Sequence, residues 1–307
     1  MLSLAEIMKE WNIQWELLTM TVIKENVYEV VSDQFQHVLK RKNCSKFWSE
    51  EFSVLKQLEN KGVPVSLPIK TRIGKSYVQD DEWIYVLYPK VKGFHNVNHG
   101  KAELSNHLFN EYGKVLAQLH RALQPIELST MPPGNWNMIG QIRAWVQQGI
   151  PEKLSSIITP YIQLVLDYYD SLPTHLIHRD FHPKNLLVHH KKVSCILDFD
   201  EMKIGPRVYD ICYFIVAIVR EAILWKETIT MSLRNIHIFL KQYERELPLT
   251  AIERKLVPAL IIILLVLYSR FYHEQGFIEL AQAYERTILE GSIRTLFLED
   301  RLFAFHL

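Results

Sequence analysis

The residues best able to do chemistry together lie in His178-Arg179-Asp180-Phe181-His182-Pro183-Lys184-Asn185, followed thirteen residues after Asn185 by Asp198-Phe199-Asp200. A lone His-x-Asp or Asp-x-Asp is common in turns and buried polar clusters. The joint pattern is far more specific: a histidine, an aspartate at +2, an asparagine at +7 and an apolar run ending in an aspartate at +20. These types serve phosphoryl transfer from a nucleoside triphosphate. That reaction asks for a carboxylate to orient the incoming hydroxyl and take its proton. It also asks for oxygen ligands that hold Mg2+ against the phosphates, and for a cation on the other side. Asp180 meets the first need. Asn185 and Asp198 meet the second through oxygen donors.

The elements around them must bring these groups together. Residues 186–188, 189–192 and 193–197 have the lengths of a hairpin, which would set Asn185 beside Asp198. Upstream, 17–23, 28–32 and 37–42 read as short strands. Residues 47–61 read as a helix with Gly62 at its C-cap. Gly74-Lys75 between 69–73 and 76–79 suggests a hairpin, and 83–88 a further strand ended by Pro89. After Gly93 the period changes. Residues 104–123 and 154–169 read as helices, 176–177, 186–188 and 193–199 as short strands, and nearly everything from Tyr209 onward as helix. Thr250 with Glu253 makes a capping box. The expected fold class is α+β and two-lobed. A small β-rich nucleotide-binding lobe covers 1–88 and a larger, mainly helical catalytic lobe covers 89–307. A short hinge lies near 87–93.

Composition narrows the rest. With 35 basic and 34 acidic residues the net charge is +1, which gives no field for nucleic acid or an anionic membrane. Three cysteines, far apart and without a Cys-x-x-Cys pair, suggest neither zinc nor a disulfide framework, and fit a reducing cytoplasm. The N-terminus lacks a basic head followed by an apolar run, so no secretory signal is read there. The apolar stretch 257–268 is too short to span a bilayer, where ~20 residues are needed. It reads as a helix buried on all sides. Nothing in the sequence sets an oligomeric state.

The run from His178 to Asn185 and Ile196-Leu197-Asp198-Phe199-Asp200 resembles the aminoglycoside phosphotransferase superfamily, which includes choline kinases and homoserine kinases and has a protein-kinase-like fold. Gly205-Pro206-Arg207-Val208-Tyr209-Asp210 and Leu116-Ala117-Gln118-Leu119-His120 resemble that family's segments after the metal aspartate and before the catalytic loop. The resemblance covers roughly 28–214. It implies that Asp180 is the catalytic base or the residue that orients the hydroxyl, that Asn185 and Asp198 ligate Mg2+, and that His178 and Asp210 brace the loop. It implies a third-strand lysine on the ATP phosphates, paired with a helix glutamate. Lys40 and Glu51 fit these positions, with Lys42 on the same strand face and Glu50 the neighbouring acid. ATP is expected near the hinge at 87–90, which includes Tyr88.

One departure concerns the loop over the phosphates. The stretch 21–28 has no glycine. Asp200 and Glu201 would help hold metal, face a cationic substrate, or form a solvated turn. Trp136, Trp145, Tyr161 and Tyr168 would line a substrate pocket or pack in the core. The short stretch from Met202 to Asp210 leaves almost no room for an activation segment, which favours a small-molecule hydroxyl over a protein. The expected activity is therefore ATP- and Mg2+-dependent phosphorylation of an aminoglycoside-like, homoserine-like or amino-alcohol acceptor. The alternative is an inactive pseudokinase that binds nucleotide or a partner protein.

Overall fold

Tight turns organise the N-terminal part of the chain. The computed structural model describes residues 3–14, 18–43, 48–95, 102–126, 138–147, 152–225 and 229–290. Helix α1 (Leu4–Lys9) opens with a capping box in which Ser3 and Glu6 satisfy each other's backbone N–H groups. Strands β1 (Thr19–Lys24) and β2 (Val27–Val31) meet at a two-residue turn whose Asn26 has φ 60. Asparagine tolerates that left-handed conformation. Strand β3 (Gln36–Asn43) and helix α2 (Trp48–Asn60) follow, and Gly62, at φ 74, closes the helix. There Val63 N–H donates back to the Leu58 carbonyl at 3.0 Å, the reversal that glycine permits after a helix. Strands β4 (Val78–Asp80) and β5 (Trp83–Pro89) complete an antiparallel sheet of order β1-β2-β3-β5-β4.

The sheet has two apolar faces. Val30, Leu39, Tyr85 and Leu87 pack with Ile7, Met8 and Trp11 of the α1 region. Ile84 and Val86 pack with Trp48 of α2. A hairpin over 69–79 does not form. Gly74 does turn the chain, with φ 80, but only Val78–Asp80 becomes strand. The segment before the turn is held by other partners: Ile69 N–H donates to Leu87 O, Arg72 N–H to Glu10 O, and Trp11 Nε1–H to Ile69 O. These contacts take the backbone groups a second strand would need.

The chain divides into two compact units. One is drawn chiefly from residues up to Gly93 together with Ser194–Leu197, the other from Phe94 onward. The second contains β6 (Phe94–His95), α3 (Ala102–Leu123), α4 (Met138–Gln147), α5 (Glu152–Tyr168) and β7 (Thr174–Ile177). Then come β8 (Leu186–His189), β9 (Lys192–Ile196), whose residues from Ser194 on belong to the first unit, β10 (Lys203–Pro206), α6 (Val208–Trp225), α7 (Ile229–Glu246), α8 (Ala251–Glu274) and α9 (Ile278–Leu289). Strand β9 stops at Ile196 rather than reaching Phe199, which starts a short 3-10 turn. The short helices α1 and α4 have no counterpart in the periodicity reading. Helix α8 is buried over Leu256–Val266 on nearly every side, and no described helix is long and apolar enough to cross a membrane.

Two helices of the second unit meet at a glycine. A Cβ on Gly113 of α3 would lie 2.3 Å from the Phe239 carbonyl oxygen of α7 and 3.0 Å from Tyr243 N. Only glycine allows that approach. It also brings His120 of α3 within hydrogen-bond distance of Tyr243, which matters for the site.

Candidate active site

The loop from His178 to Asn185 starts where β7 ends. Pairing of β7 with β10, Ile177 opposite Lys203, fixes its entry. Arg179 follows at φ 66, a left-handed position that an arginine adopts only when its surroundings impose it. Those surroundings are clear. Asp210, fully buried near the start of α6, accepts His178 N–H at 2.8 Å and Arg179 N–H at 2.7 Å. The His178 ring is buried between Phe181 and Phe199, and its Nδ1 accepts Asp180 N–H at 3.2 Å.

A longer relay stands behind Asp210. His120 Nε2 lies 3.1 Å from Asp210 Oδ2, and its Nδ1 lies 2.8 Å from the Tyr243 hydroxyl. A carboxylate only accepts, so Nε2 carries the proton and Nδ1 accepts from Tyr243. Burial pushes the His120 pKa down, against the opposing pull of Asp210, and the neutral ring satisfies both neighbours. Burial would raise the Asp210 pKa, but His120 and the backbone donors hold it below the usual carboxylate value. Arg207 is anchored nearby by paired hydrogen bonds to Glu253 at 2.7 and 2.8 Å, and Glu253 also closes the capping box of α8.

Asp180 itself is held on both oxygens. Oδ1 accepts from the Tyr213 hydroxyl at 2.7 Å and lies 3.4 Å from His182 Nε2, while Oδ2 accepts from Asn185 Nδ2 at 2.7 Å. His182 Nδ1 accepts Lys184 N–H, which leaves Nε2–H facing Asp180. Burial acts to raise the Asp180 pKa. The hydrogen bonds from His182, Tyr213 and Asn185 outweigh it and hold the carboxyl below its ordinary value. The Tyr213 hydroxyl is pushed far up, chiefly by burial, and stays a donor.

Asn185 shows what it has left to offer. Its amide nitrogen serves Asp180 twice, through the carboxylate and the backbone oxygen at 3.0 Å. Its Oδ1 is then the atom available to a cation. From Asn185 the chain runs into β8, turns at His190 and Lys191, with φ 48 and 64, and returns as β9 toward Asp198. Two successive left-handed residues make the type I′ turn that fits the strand twist. Asp198 sits at φ 64, ψ 67, a second strained backbone position. No group of three His, Cys, Asp or Glu side chains able to hold a metal occurs among the described residues. An oxygen pair that shares Mg2+ with phosphates needs no such cage. Asp200 is exposed on the 3-10 turn after Asp198, and Glu201 pairs with Arg179 Nη1 at 3.3 Å.

In the first unit, Val38, Lys40 and Lys42 stand opposite Tyr88, Val86 and Ile84, so these side chains share one sheet face with Trp48. Arg41 points to the other face, over the Trp83 ring at 4.2 Å and onto Asn26. Glu51, expected to answer Lys40, has Lys42 of the same strand face as a partner. Lys42 Nζ lies 2.9 Å from Glu51 Oε1, and both side chains are only 12% exposed. The ammonium also sits 4.7 Å from the Trp48 ring centre. The physical reason is the strand period: residues two apart project alike, and α2 sets Glu51 near the C-terminal end of β3. Lys40 is half-buried and its charge acts on the Cys195 thiol in the same unit, pulling against the burial that pushes that thiol up to about 12. The glycine-free stretch is the β1–β2 turn, tied to β3 by Arg41 N–H on Asn26 O at 2.8 Å.

Against His182 and Tyr213, two partners of Asp180, lies a cavity of about 150 Å³, walled by the 178–185 loop, α6, α8 and α9. Its aromatic residues are Tyr213, Tyr268, Tyr272 and Tyr284. Trp145, Tyr161 and Tyr168 do not line it: Trp145 is buried in α4, and Tyr168 packs under Lys255. Trp136 lies outside the described residues. Sequence reasoning missed His182, Tyr213 and this tyrosine wall. The signal for Tyr213 was its place one helical turn after Asp210.

The family model for the phosphotransferase enzyme family matches residues 24–239. Comparison with curated proteins gives no match. Among solved structures, the chain is similar to an amicoumacin kinase in complex with AMP-PNP, Ca2+ and amicoumacin, with TM-score 0.69, 17% identity and 93% of each chain covered. An aminoglycoside phosphotransferase from Alicyclobacillus acidocaldarius gives TM-score 0.69, 14% identity and 96% of each chain. A microcompartment-associated aminopropanol kinase gives TM-score 0.65 and 16% identity over 98% of this chain and 97% of that one. At these identities the likeness shows a shared protein-kinase-like fold.

Proposed function

Because the chain belongs to the phosphotransferase enzyme family, we propose that this small-molecule kinase moves the γ-phosphoryl group of Mg2+–ATP to a hydroxyl of its acceptor through Asp180. The observation that carries this reading is the Asp180 carboxylate, held ionised by Tyr213, Asn185 and His182 beside a cavity. The acceptor oxygen bonds to the γ-phosphorus, the bond from that phosphorus to the β–γ bridging oxygen breaks, ADP leaves, and the hydroxyl proton passes to Asp180. A depressed pKa makes Asp180 a weak base. A loose transition state asks little of a base until late, so its main work is to orient the hydroxyl.

Asn185 Oδ1 and the Asp198 carboxylate would hold Mg2+, which when bound neutralises charge across the phosphates. His178, Asp210 and His120 keep the loop in its strained path. Lys40 would face the phosphates, with Glu51 and Tyr88 on the same side of the nucleotide and Lys42 holding Glu51. Asp200 would support Asp198 from the following turn. A pseudokinase reading draws on the glycine-free β1–β2 turn alone. The test is ATP consumption by the purified chain against hydroxy acids, amino alcohols, sugars and aminoglycosides, with phosphorylated product identified by mass. Acceptor-dependent ADP formation that vanishes in Asp180→Asn is expected. Nucleotide binding without transfer to any acceptor would leave the pseudokinase.

A further inference from the structure

The cavity beside Asp180 has a charged end of its own. Glu221, with its side chain 6% exposed, lies between two cations: Lys184 Nζ at 3.2 Å and Arg220 Nη1 at 3.9 Å. Its other oxygen accepts from Trp225 Nε1 at 3.2 Å. One carboxylate thus serves two cations, and it is the one acid among the described residues that line the cavity. Tyr213 and Arg220 are seven residues apart on α6, so they lie on one helix face about 10 Å apart along the axis. The end away from Asp180 is therefore cation-rich.

Two polar atoms in the same wall have no match. Arg220 Nε and the Tyr284 hydroxyl are enclosed and have no hydrogen-bond partner among the described residues. Tyr284 is 0% exposed, and its ring is fixed by stacking against Tyr268 at 6.2 Å and Tyr272 at 5.7 Å. Arg220 lies over Tyr272 at 5.9 Å. Enclosed donors without acceptors are costly and mark a place where an acceptor is supplied from outside the fold. A guanidinium beside a fixed phenol suits a carboxylate, whose two oxygens can take one bond from each.

We propose that this cavity binds the anionic end of the acceptor, a small hydroxy acid whose carboxylate meets Arg220 and Tyr284 while its hydroxyl reaches Asp180. The hydroxyl half of this assignment rests on the kinase reading above. At about 150 Å³ the cavity is below the ~300–1,000 Å³ of pockets for drug-sized ligands, so the acceptor is short. An acceptor ending in a lone ammonium would meet two cations and one carboxylate, Glu221, that they already share.

The test is calorimetric titration of the full chain, with a non-hydrolysable ATP analogue and Mg2+ present. The probes are 3-hydroxypropanoate and 4-hydroxybutanoate, their primary amides, and 3-aminopropanol. The acids should bind about 10- to 100-fold more tightly than the amides. Arg220→Gln should erase that preference, Arg220→Lys should keep part of it, and Tyr284→Phe should weaken acid binding without affecting the amides. Asp180→Asn should still bind the acids. Amides or aminopropanol binding as well as the acids, or Arg220→Gln keeping the wild-type acid affinity, overturns the anion site. Phosphate transfer to neutral alcohols with no preference for acids overturns it too, and leaves the kinase reading standing. Arg220-dependent acid binding with no phosphate transfer to any acceptor supports the anion site and sinks the kinase reading instead.

Discussion

The 178–185 loop of the helical unit and the lysine-bearing face of the β-rich unit are built on different principles. Around Asp180, every hydrogen bond has a named partner, and the supports behind it, Asp210 and His120, are fully buried. On the β3 face, Lys40 and Lys42 are two residues apart and equally placed by the strand, and α2 brings Glu51 to within 2.9 Å of Lys42. The first region is specified by a buried network that converges on Asp180 and Asp210. The second is specified by a register with two similar solutions. Loss of a single group should therefore act sharply in the first region and more gradually in the second.

The largest effects are expected at the loop. Asp180→Asn keeps size and some hydrogen bonding but cannot take a proton. Turnover should fall by ~10²–10⁴-fold or more, with nucleotide affinity nearly unchanged. Asp198→Ala should instead impair Mg2+-dependent nucleotide binding. Asp210→Ala leaves two backbone N–H groups and the His120 N–H without their acceptor. Thermal and denaturant unfolding should show a loss of ~3 kcal/mol or more. A fully stable, active Asp210→Ala chain would break the idea that the loop is held from beneath.

Legibility in the sequence follows the same division. Histidine, aspartate and asparagine at +2 and +7 fall within one tight loop, so their spacing reports their geometry directly. The capping box at Thr250 and the turn at Gly62 were equally readable, because their chemistry is local. Tyr213, His120 and Tyr243 act across long stretches of chain, where periodicity shows only that they face inward. The Lys42–Glu51 pair has the same origin: a period of two places Lys40 and Lys42 on one face, and spacing alone does not say which of them α2 approaches. The supposed hairpin at 69–79 failed because tertiary partners, Glu10, Trp11 and Leu87, claimed its backbone.

The lysine face gives the next expectation. Lys42→Ala strips the charge partner from a nearly buried Glu51, so it should weaken nucleotide use and lower stability by ~1–3 kcal/mol. Lys40→Ala should lower turnover with less effect on folding. Kinetics and unfolding of both variants, compared with Glu51→Gln, decide the assignment. Wild-type behaviour of Lys42→Ala would return the pairing role to Lys40. In the helical unit, Gly113→Ala should cost ~1–3 kcal/mol, because the added methyl meets the Phe239 carbonyl and α3 must shift away from α7. Turnover should fall as well, since that shift moves His120 off Tyr243.

The smallest effect tests the network by titration. The Asp180 pKa is depressed because hydrogen bonds from His182, Tyr213 and Asn185 overcome the burial that would raise it. In the proposed transfer the ionised form receives the hydroxyl proton, so activity should hold down to the depressed pKa and be lost as pH falls through it. Tyr213→Phe removes one of the donors and leaves the ring. The Asp180 pKa should then rise, and the acid limb of the kcat profile should move toward neutral pH, with the plateau rate at higher pH changed only a few-fold. The same change has a sign for folding: a carboxyl depressed in the folded state contributes stability above its unfolded pKa that is lost on acidification, and Tyr213→Phe should reduce that contribution. Rate profiles of wild type and Tyr213→Phe, with unfolding curves at pH 4 and 7, measure both. An acid limb that stays in place would mean that His182 and Asn185 hold the carboxylate without Tyr213.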